Sequence, residues 1–164
     1  MQMRTVSEIY EALARMAPPE LAESWDNVGL LVDCGGAVER ALVCLDITPE
    51  VVEEAVARQC GLIVSHHPVI FSPLKRLGPQ DVPLQLMRAG ISAISMHTNL
   101  DAAEGGVNDV LAGLFGMRDP VPFANGCGRV GEIDPCTVPQ LAALCQEKLG
   151  PYCVPPVGDT PAVQ

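Results

Sequence analysis

Three histidines occur in the chain, and each follows a short apolar run. Leu62-Ile63-Val64-Ser65 leads into His66-His67-Pro68, and Ile91-Ser92-Ala93-Ile94-Ser95-Met96 leads into His97-Thr98-Asn99-Leu100-Asp101. Short β-rich runs of this kind, entered through Gly61 and Gly90, read as buried strands. Polar groups released at the end of a buried strand lie at the rim of the sheet, where α/β proteins place their ligands. One histidine after a strand is ordinarily a packed or solvated loop residue. Two adjacent histidines, with a third histidine and Asp101 in an equivalent place, point instead to a metal site. Imidazole and carboxylate together suit zinc, manganese, iron or nickel. Neighbouring side chains on an extended backbone point to opposite sides. His66 and His67 are therefore expected to serve two ions rather than chelate one, and two-metal sites hold their ions roughly 3.5–4 Å apart.

The elements that must position these groups can be read from the surrounding pattern. Thr5-Val6-Ser7-Glu8 has the form of a capping box, followed at helical spacing by Val6, Ile9, Leu13 and Met16, with Pro18-Pro19 ending the helix. Residues 29–32 read as a strand and 33–36 as a loop. Trp25 reads as a packed aromatic. Asp26 and Asn27 have the chemistry of a turn closed by side-chain-to-backbone bonds, and neither is assigned a place in the site. A strand over 41–45 passes through Asp46-Ile47-Thr48-Pro49 into a helix, Thr48 being the N-cap and Pro49 the first helical residue. Val51, Val52, Ala55 and Val56 supply its buried face, and Gly61 is expected in the C′ role. Asp46 ends its strand as His66 ends the next, so it is placed to face the same rim; a loop aspartate bonding nearby amides is the equal alternative.

The strand 62–65, a short helix from Asp81 through Arg88 and the strand 91–96 make a second βαβ unit. Between them the loop 72–77 carries Lys75 and Arg76, either a solvated edge or a contact for an anionic group such as phosphate. Gly105-Gly106 opens a helix over 107–115 with Leu111 and Leu114 on its inner face. Residues 120–128 read as an exposed connection and 128–133 as an antiparallel or edge strand of the sheet. Thr137 caps a helix reaching Leu149, and 152–157 has the pattern of one more strand. The fold class is thus α/β, with a mainly parallel sheet flanked by helices.

Composition narrows the function. At 164 residues, 48% hydrophobic and 4% aromatic, the chain has the make-up of a globular domain. A formal net charge of −10 argues against nucleic acid and anionic membrane as partners. No apolar run approaches the roughly 20 residues of a bilayer span, and Glu8, Glu11 and Arg15 interrupt any signal-peptide core. Seven cysteines with no Cys-x-x-Cys pair disfavour a zinc ribbon and a disulfide framework. They read as free thiols of a cytoplasmic protein, with Cys44 and Cys60 as small core residues.

Four segments in order carry a family resemblance: Trp25-Asp26-Asn27-Val28-Gly29-Leu30, Asp46-Ile47-Thr48-Pro49-Glu50-Val51-Val52, Ser65-His66-His67-Pro68-Val69-Ile70-Phe71, and His97-Thr98-Asn99-Leu100-Asp101-Ala102-Ala103 with Gly105-Gly106-Val107-Asn108. A Gly-Arg-x-Gly segment at 128–131 is similar too. The chain from about Val6 to Gly150 resembles the NIF-three-like family, whose members are often called GTP cyclohydrolase I type-two homologues and carry a dinuclear metal centre. The resemblance implies His66, His67 and Asp101 as metal ligands, two divalent ions as cofactors, and His97 in the same pocket as the catalytic residue. There it would act as a general base or orient a ligand. It also implies a homo-oligomer, usually a hexamer. The family completes its site with a histidine and a glutamate near the C-terminus, whereas this chain has no histidine after His97.

Residues 1–164 therefore read as the N-terminal part of such a metal-binding domain, with 129–164 beginning the portion that follows. Asp46 and Glu104 are the outside candidates for further ligands. With so few protein ligands, divalent metal is expected to bind weakly and with partial occupancy. The implied function is metal-dependent hydrolysis of a nucleotide or phosphate-containing small molecule. A non-enzymatic metal-binding or interaction protein is the alternative, and a redox protein using cysteine a third class.

Overall fold

The computed structural model describes residues 3–150 and falls into two compact units, one running to Ala103 and one starting at Glu104. The first unit carries all three histidines. It opens with the short strand β1 (Arg4–Thr5) and the helix α1 (Val6–Met16), then a 3-10 turn over Pro19–Leu21. The strands β2 (Gly29–Val32), β3 (Ala37–Val38) and β4 (Ala41–Cys44), helix α2 (Pro49–Ala57), strand β5 (Leu62–Ser65), helix α3 (Val82–Ala89), strand β6 (Ser92–Ser95) and helix α4 (Thr98–Ala102) follow. The second unit contains α5 (Val107–Leu114), β7 (Arg118–Phe123), β8 (Gly128–Glu132) and α6 (Val138–Leu149).

The main sheet has the order β2-β6-β5-β4. β4 with β5 and β5 with β6 are parallel, each pair bridged by one helix, α2 and α3. β2 is the exception, since it pairs antiparallel with β6. An anchor at the strand ends accounts for it: Asp26, just before β2, is bonded to His97 just after β6. A strand that begins at the carboxyl end of β6 can only run back along it. Gly29 opens β2 at φ +107°, and a Cβ there would meet the Tyr10 hydroxyl at 3.1 Å. Glycine satisfies both the backbone and the close approach.

Alternation along β5 and β6 divides the core between the two faces of the sheet. Ile63 and Ala93 pack with Val52 and Ala55 of α2 and Leu86 of α3 on one side. Leu62 and Ile94 pack with Val6 of α1, Ala17, Val38, Met96 and Ala103 on the other. The sheet is thereby covered by helices on both faces.

The expected capping of α1 is present, with Thr5 and Glu8 bonded reciprocally, but Met16 at its far end is exposed rather than packed. In α2, Val52 and Ala55 are buried whereas Val56 is exposed. This helix stops earlier than Gly61: Gln59 adopts φ +58°, and the amides of Gln59 and Cys60 bond the carbonyls of Val56 and Ala55. That Schellman closure is fastened by burial of Cys60, so an apolar contact overrode the usual preference for glycine. α3 ends as expected on Gly90 at φ +69°.

In the second unit Ala112 is the buried residue of α5, and Leu114 stays exposed. Residues 118–123, at the start of the stretch expected to be a connection, form a strand. β8 pairs with it as a separate two-stranded sheet instead of joining the main one. The Gly-Arg-x-Gly segment makes this hairpin. A Cβ on Gly131 would come within 2.6 Å of the Arg118 carbonyl oxygen. The nearly buried Arg129 guanidinium bonds Asp109 and the carbonyls of Gly126 and Gly128. The strand expected at 152–157 lies outside the described residues.

Candidate metal centre

His66 and His67 leave the carboxyl end of β5, and His97 leaves that of β6. Consecutive amides of His66 and His67 both donate toward β4, to the carbonyls of Cys44 and Leu45 at 3.1 and 2.9 Å. An extended strand cannot direct two successive amides to one neighbour. The chain has therefore left the strand by His66, and the two imidazoles are not thrown to opposite faces as expected. Their ring centroids lie 5.3 Å apart, and each is 5.2–5.6 Å from the ring of His97. One ring nitrogen from each of the three falls within 4.8 Å of the others.

Two buried serines at the strand ends hold this turn. Ser65 Oγ donates to the His67 carbonyl at 2.8 Å, and Ser95 Oγ to the His66 carbonyl at 2.9 Å. Each histidine also has an aspartate. His66 Nε2 is 3.1 Å from Asp101 Oδ1, His67 Nδ1 is 2.7 Å from Asp46 Oδ1, and His97 Nδ1 is 2.9 Å from Asp26 Oδ1. The pairs are graded in exposure: the Asp26 side chain is fully buried, Asp101 is partly buried, and Asp46 is 56% exposed.

Asp26 is the most constrained of the three. Its carboxylate also accepts from the Thr98 hydroxyl at 2.5 Å, the Thr98 amide at 3.1 Å and the Asn27 amide at 2.7 Å. Burial pushes this carboxyl up, but the bonds from the Thr98 hydroxyl, His97 and the two amides outweigh it and hold the group below the usual carboxylate range. A charged, fully bonded aspartate can only accept, so it holds His97 by Nδ1–H and fixes the ring with Nε2 on the side away from it.

This donor set fits a divalent ion. Metal-ligating histidines typically give their other ring N–H to a carboxylate, as His67 and His97 do here. Three carboxylates around three imidazoles make the local charge favourable to a cation. His66 Nδ1 is buried with no hydrogen-bond partner, while its Nε2 faces Asp101. The 3.1 Å between Nε2 and Oδ1 is about the spacing of two ligands with bonds of roughly 2.0–2.1 Å to one ion.

All four of the expected site residues are thus brought together, and Asp46 joins them at the rim. Asp26, Ser65 and Ser95 are additions. The signal for Asp26 was its place immediately before a strand, but only the antiparallel entry of β2 carries it to His97. Cys34 and Cys44 offer nothing comparable: burial pushes both thiols up, with Asp33 and Asp46 respectively adding to it, so both stay protonated. Lys75 and Arg76 are exposed and make no hydrogen bond or ion pair among the described residues. No helix among those residues is long and apolar enough to cross a membrane.

Fold and site together define the class: an α/β domain whose parallel strands end in a carboxylate-backed histidine cluster of metal-ligand spacing. The chain belongs to the Duf34/NIF3 (NGG1p interacting factor 3) family, which it matches over residues 4–163. It is 41% identical over 150 residues to a GTP cyclohydrolase 1 type 2 homolog of Nostoc sp., covering 79% of this chain and 57% of that protein. It is 37% identical over 121 residues to the NGG1-interacting factor 3 of Saccharomyces cerevisiae, covering 65% of this chain and 42% of the relative. Among solved structures it resembles reduced HcgD from Methanocaldococcus jannaschii, with a TM-score of 0.81 and 28% identity over 90% of this chain and 61% of that one. The chain spans about half the length of the curated relatives it matches.

Proposed function

We propose that this chain supplies the histidine-bearing side of a divalent metal centre and that the centre serves hydrolysis of a nucleotide or phosphate-containing small molecule. The observation that carries this is the convergence of three imidazole nitrogens within 4.8 Å, each ring backed by an aspartate. His66, His67 and Asp101 would hold metal, with Asp46 orienting His67. The donors suit zinc, manganese, iron or nickel, and the family resemblance favours two ions. A divalent ion there supplies Lewis acidity and brings the pKa of water down to about 7. His97 is the proton-transfer residue: Asp26 holds its Nδ1–H, which leaves Nε2 to take a proton from water or return one to a leaving group. The resemblance further favours a homo-oligomer, usually a hexamer.

The name of the yeast relative favours a second reading, in which the family scaffold serves protein interaction and the metal is structural. Elemental analysis and titration with zinc and manganese, followed by a screen of nucleotides and phosphoesters with and without chelator, separate the two. The wild-type chain is expected to bind metal weakly and to shed most of it in a His66→Ala/His67→Ala double variant. His97→Ala should keep most metal and lose turnover. Unchanged metal in the double variant would refute the centre; bound metal with no chelator-sensitive turnover would favour the interaction reading.

A further inference from the structure

Trp25 does not pack in the core as its sequence context suggests. Its side chain belongs to neither hydrophobic cluster, and the residue is 58% exposed. Phe71, on the segment leaving His66-His67, is 53% exposed. The two rings lie 6.1 Å apart at an interplanar angle of 53°, and the Trp25 ring meets the His97 imidazole edge-on at 6.3 Å.

Both rings are mounted on pinned backbone. Asp26, the residue after Trp25, is locked by its bonds to His97, Thr98 and Asn27. Asn27 Nδ2 then donates to the carbonyl of Ile70, the residue before Phe71, at 2.5 Å. One side chain thereby ties the two aromatic segments together beside the histidines. Large apolar rings held in solvent by half-buried polar bonds, at the mouth of a polar site, are placed for a ligand rather than for the core.

We propose that Trp25 and Phe71 form a ring-stacking surface of this site, and that its substrate is a planar heteroaromatic ring carrying an anionic group. The inference rests on the metal-centre reading for the location of the chemistry. Aromatic faces stack planar heterocycles with little regard to ring substituents, and the polar edge of such a ring meets the His97 imidazole. Lys75 and Arg76, four and five residues beyond Phe71, are exposed cations without partners among the described residues, in a chain of net charge −10. They are the groups to receive the anion.

Trp25 is the single tryptophan, so its fluorescence reports this surface alone. The 164-residue protein is titrated with GMP, guanosine and ribose 5-phosphate, with correction for absorbance, and affinities are checked by calorimetry. GMP should quench saturably, guanosine should quench more weakly, and ribose 5-phosphate should leave the emission unchanged. Trp25→Ala should weaken GMP binding roughly 10- to 100-fold, and Trp25→Phe by a few-fold, since a smaller ring still stacks. Both variants should keep the wild-type melting temperature.

The proposal is overturned if GMP does not quench, if ribose 5-phosphate binds as tightly as GMP, or if Trp25→Ala binds GMP like wild type. It is also overturned if the emission shifts to the blue with protein concentration alone, which would make the rings an interface between copies. Metal content of the same samples tests the other reading separately. Metal bound with GMP silent removes the stacking surface only; GMP bound with no uptake of added zinc, manganese, iron or nickel supports stacking and removes the metal centre.

Discussion

Replacing Asp26 by asparagine tests whether its buried carboxylate organises the site. The amide is nearly isosteric, so packing is conserved and the hydrogen bonds are what change. Oδ1 accepts from His97 Nδ1 and the Asn27 amide, and Oδ2 from the Thr98 hydroxyl and amide. The hydroxyl can adapt, but the Asn27 amide, the Thr98 amide and the imidazole N–H are donors. Either orientation of asparagine therefore sets its NH2 against at least one donor that had an acceptor. An unsatisfied buried group costs about 1–3 kcal/mol, and bonds to a charged acceptor exceed neutral ones. The variant should lose about 2–4 kcal/mol. With a urea m-value of about 2 kcal/mol/M, the unfolding midpoint should fall by about 1–2 M. Asp46→Asn is the control: among the described residues its carboxylate bonds only His67, and it is 56% exposed, so its loss should stay below about 0.5 kcal/mol. Zinc affinity should drop roughly 10- to 100-fold in Asp46→Asn, which removes the partner of the ligand His67, and stay near wild type in folded Asp26→Asn, whose partner His97 is not a ligand. Equal midpoints for the two variants would refute the argument, because it rests on burial separating two otherwise similar His–Asp pairs.

Two further outcomes concern the second unit. Gly131→Ala should destabilise the β7–β8 hairpin by about 1–3 kcal/mol, since the new methyl must displace the Arg118 carbonyl. Hydrogen exchange should speed up at the amides of 118–132 while zinc binding is kept, and unchanged protection would show that the hairpin yields freely. The Arg129 guanidinium, followed by the Gly105 amide, holds Asp109 below the usual carboxylate range. A carboxyl with a depressed folded value stabilises above its unfolded value of about 3.9, and loses that contribution as pH falls through the folded one. Asp109→Asn should therefore lower the melting temperature at pH 6, with the gap narrowing below about pH 4. A gap independent of pH would exclude the ion pair as its source.

The sequence by itself determined the local elements and the chemistry at their ends. Thr5 and Glu8, Thr48 and Pro49, and Gly90 set helix boundaries through bonds a few residues long, and such bonds are written in spacing. The runs before His66 and His97 marked β5 and β6 as parallel strands sharing a rim, and so placed His66, His67, His97 and Asp101 together. Tertiary structure decided whatever depended on direction and depth. β2 looks like any apolar strand, and its antiparallel course follows from where Asp26 is anchored. The same anchor at His97 leaves Trp25 in solvent beside it. An aromatic next to a turn is ordinarily core, and nothing local distinguishes one that is held out. Gly131 likewise carries no mark of the partner it accommodates, because β7 hides among prolines and the close approach exists only once the hairpin has closed. Residues three or four apart constrain one another whatever the rest of the chain does. Residues seventy apart, such as Asp26 and His97, meet only through the sheet that lies between them.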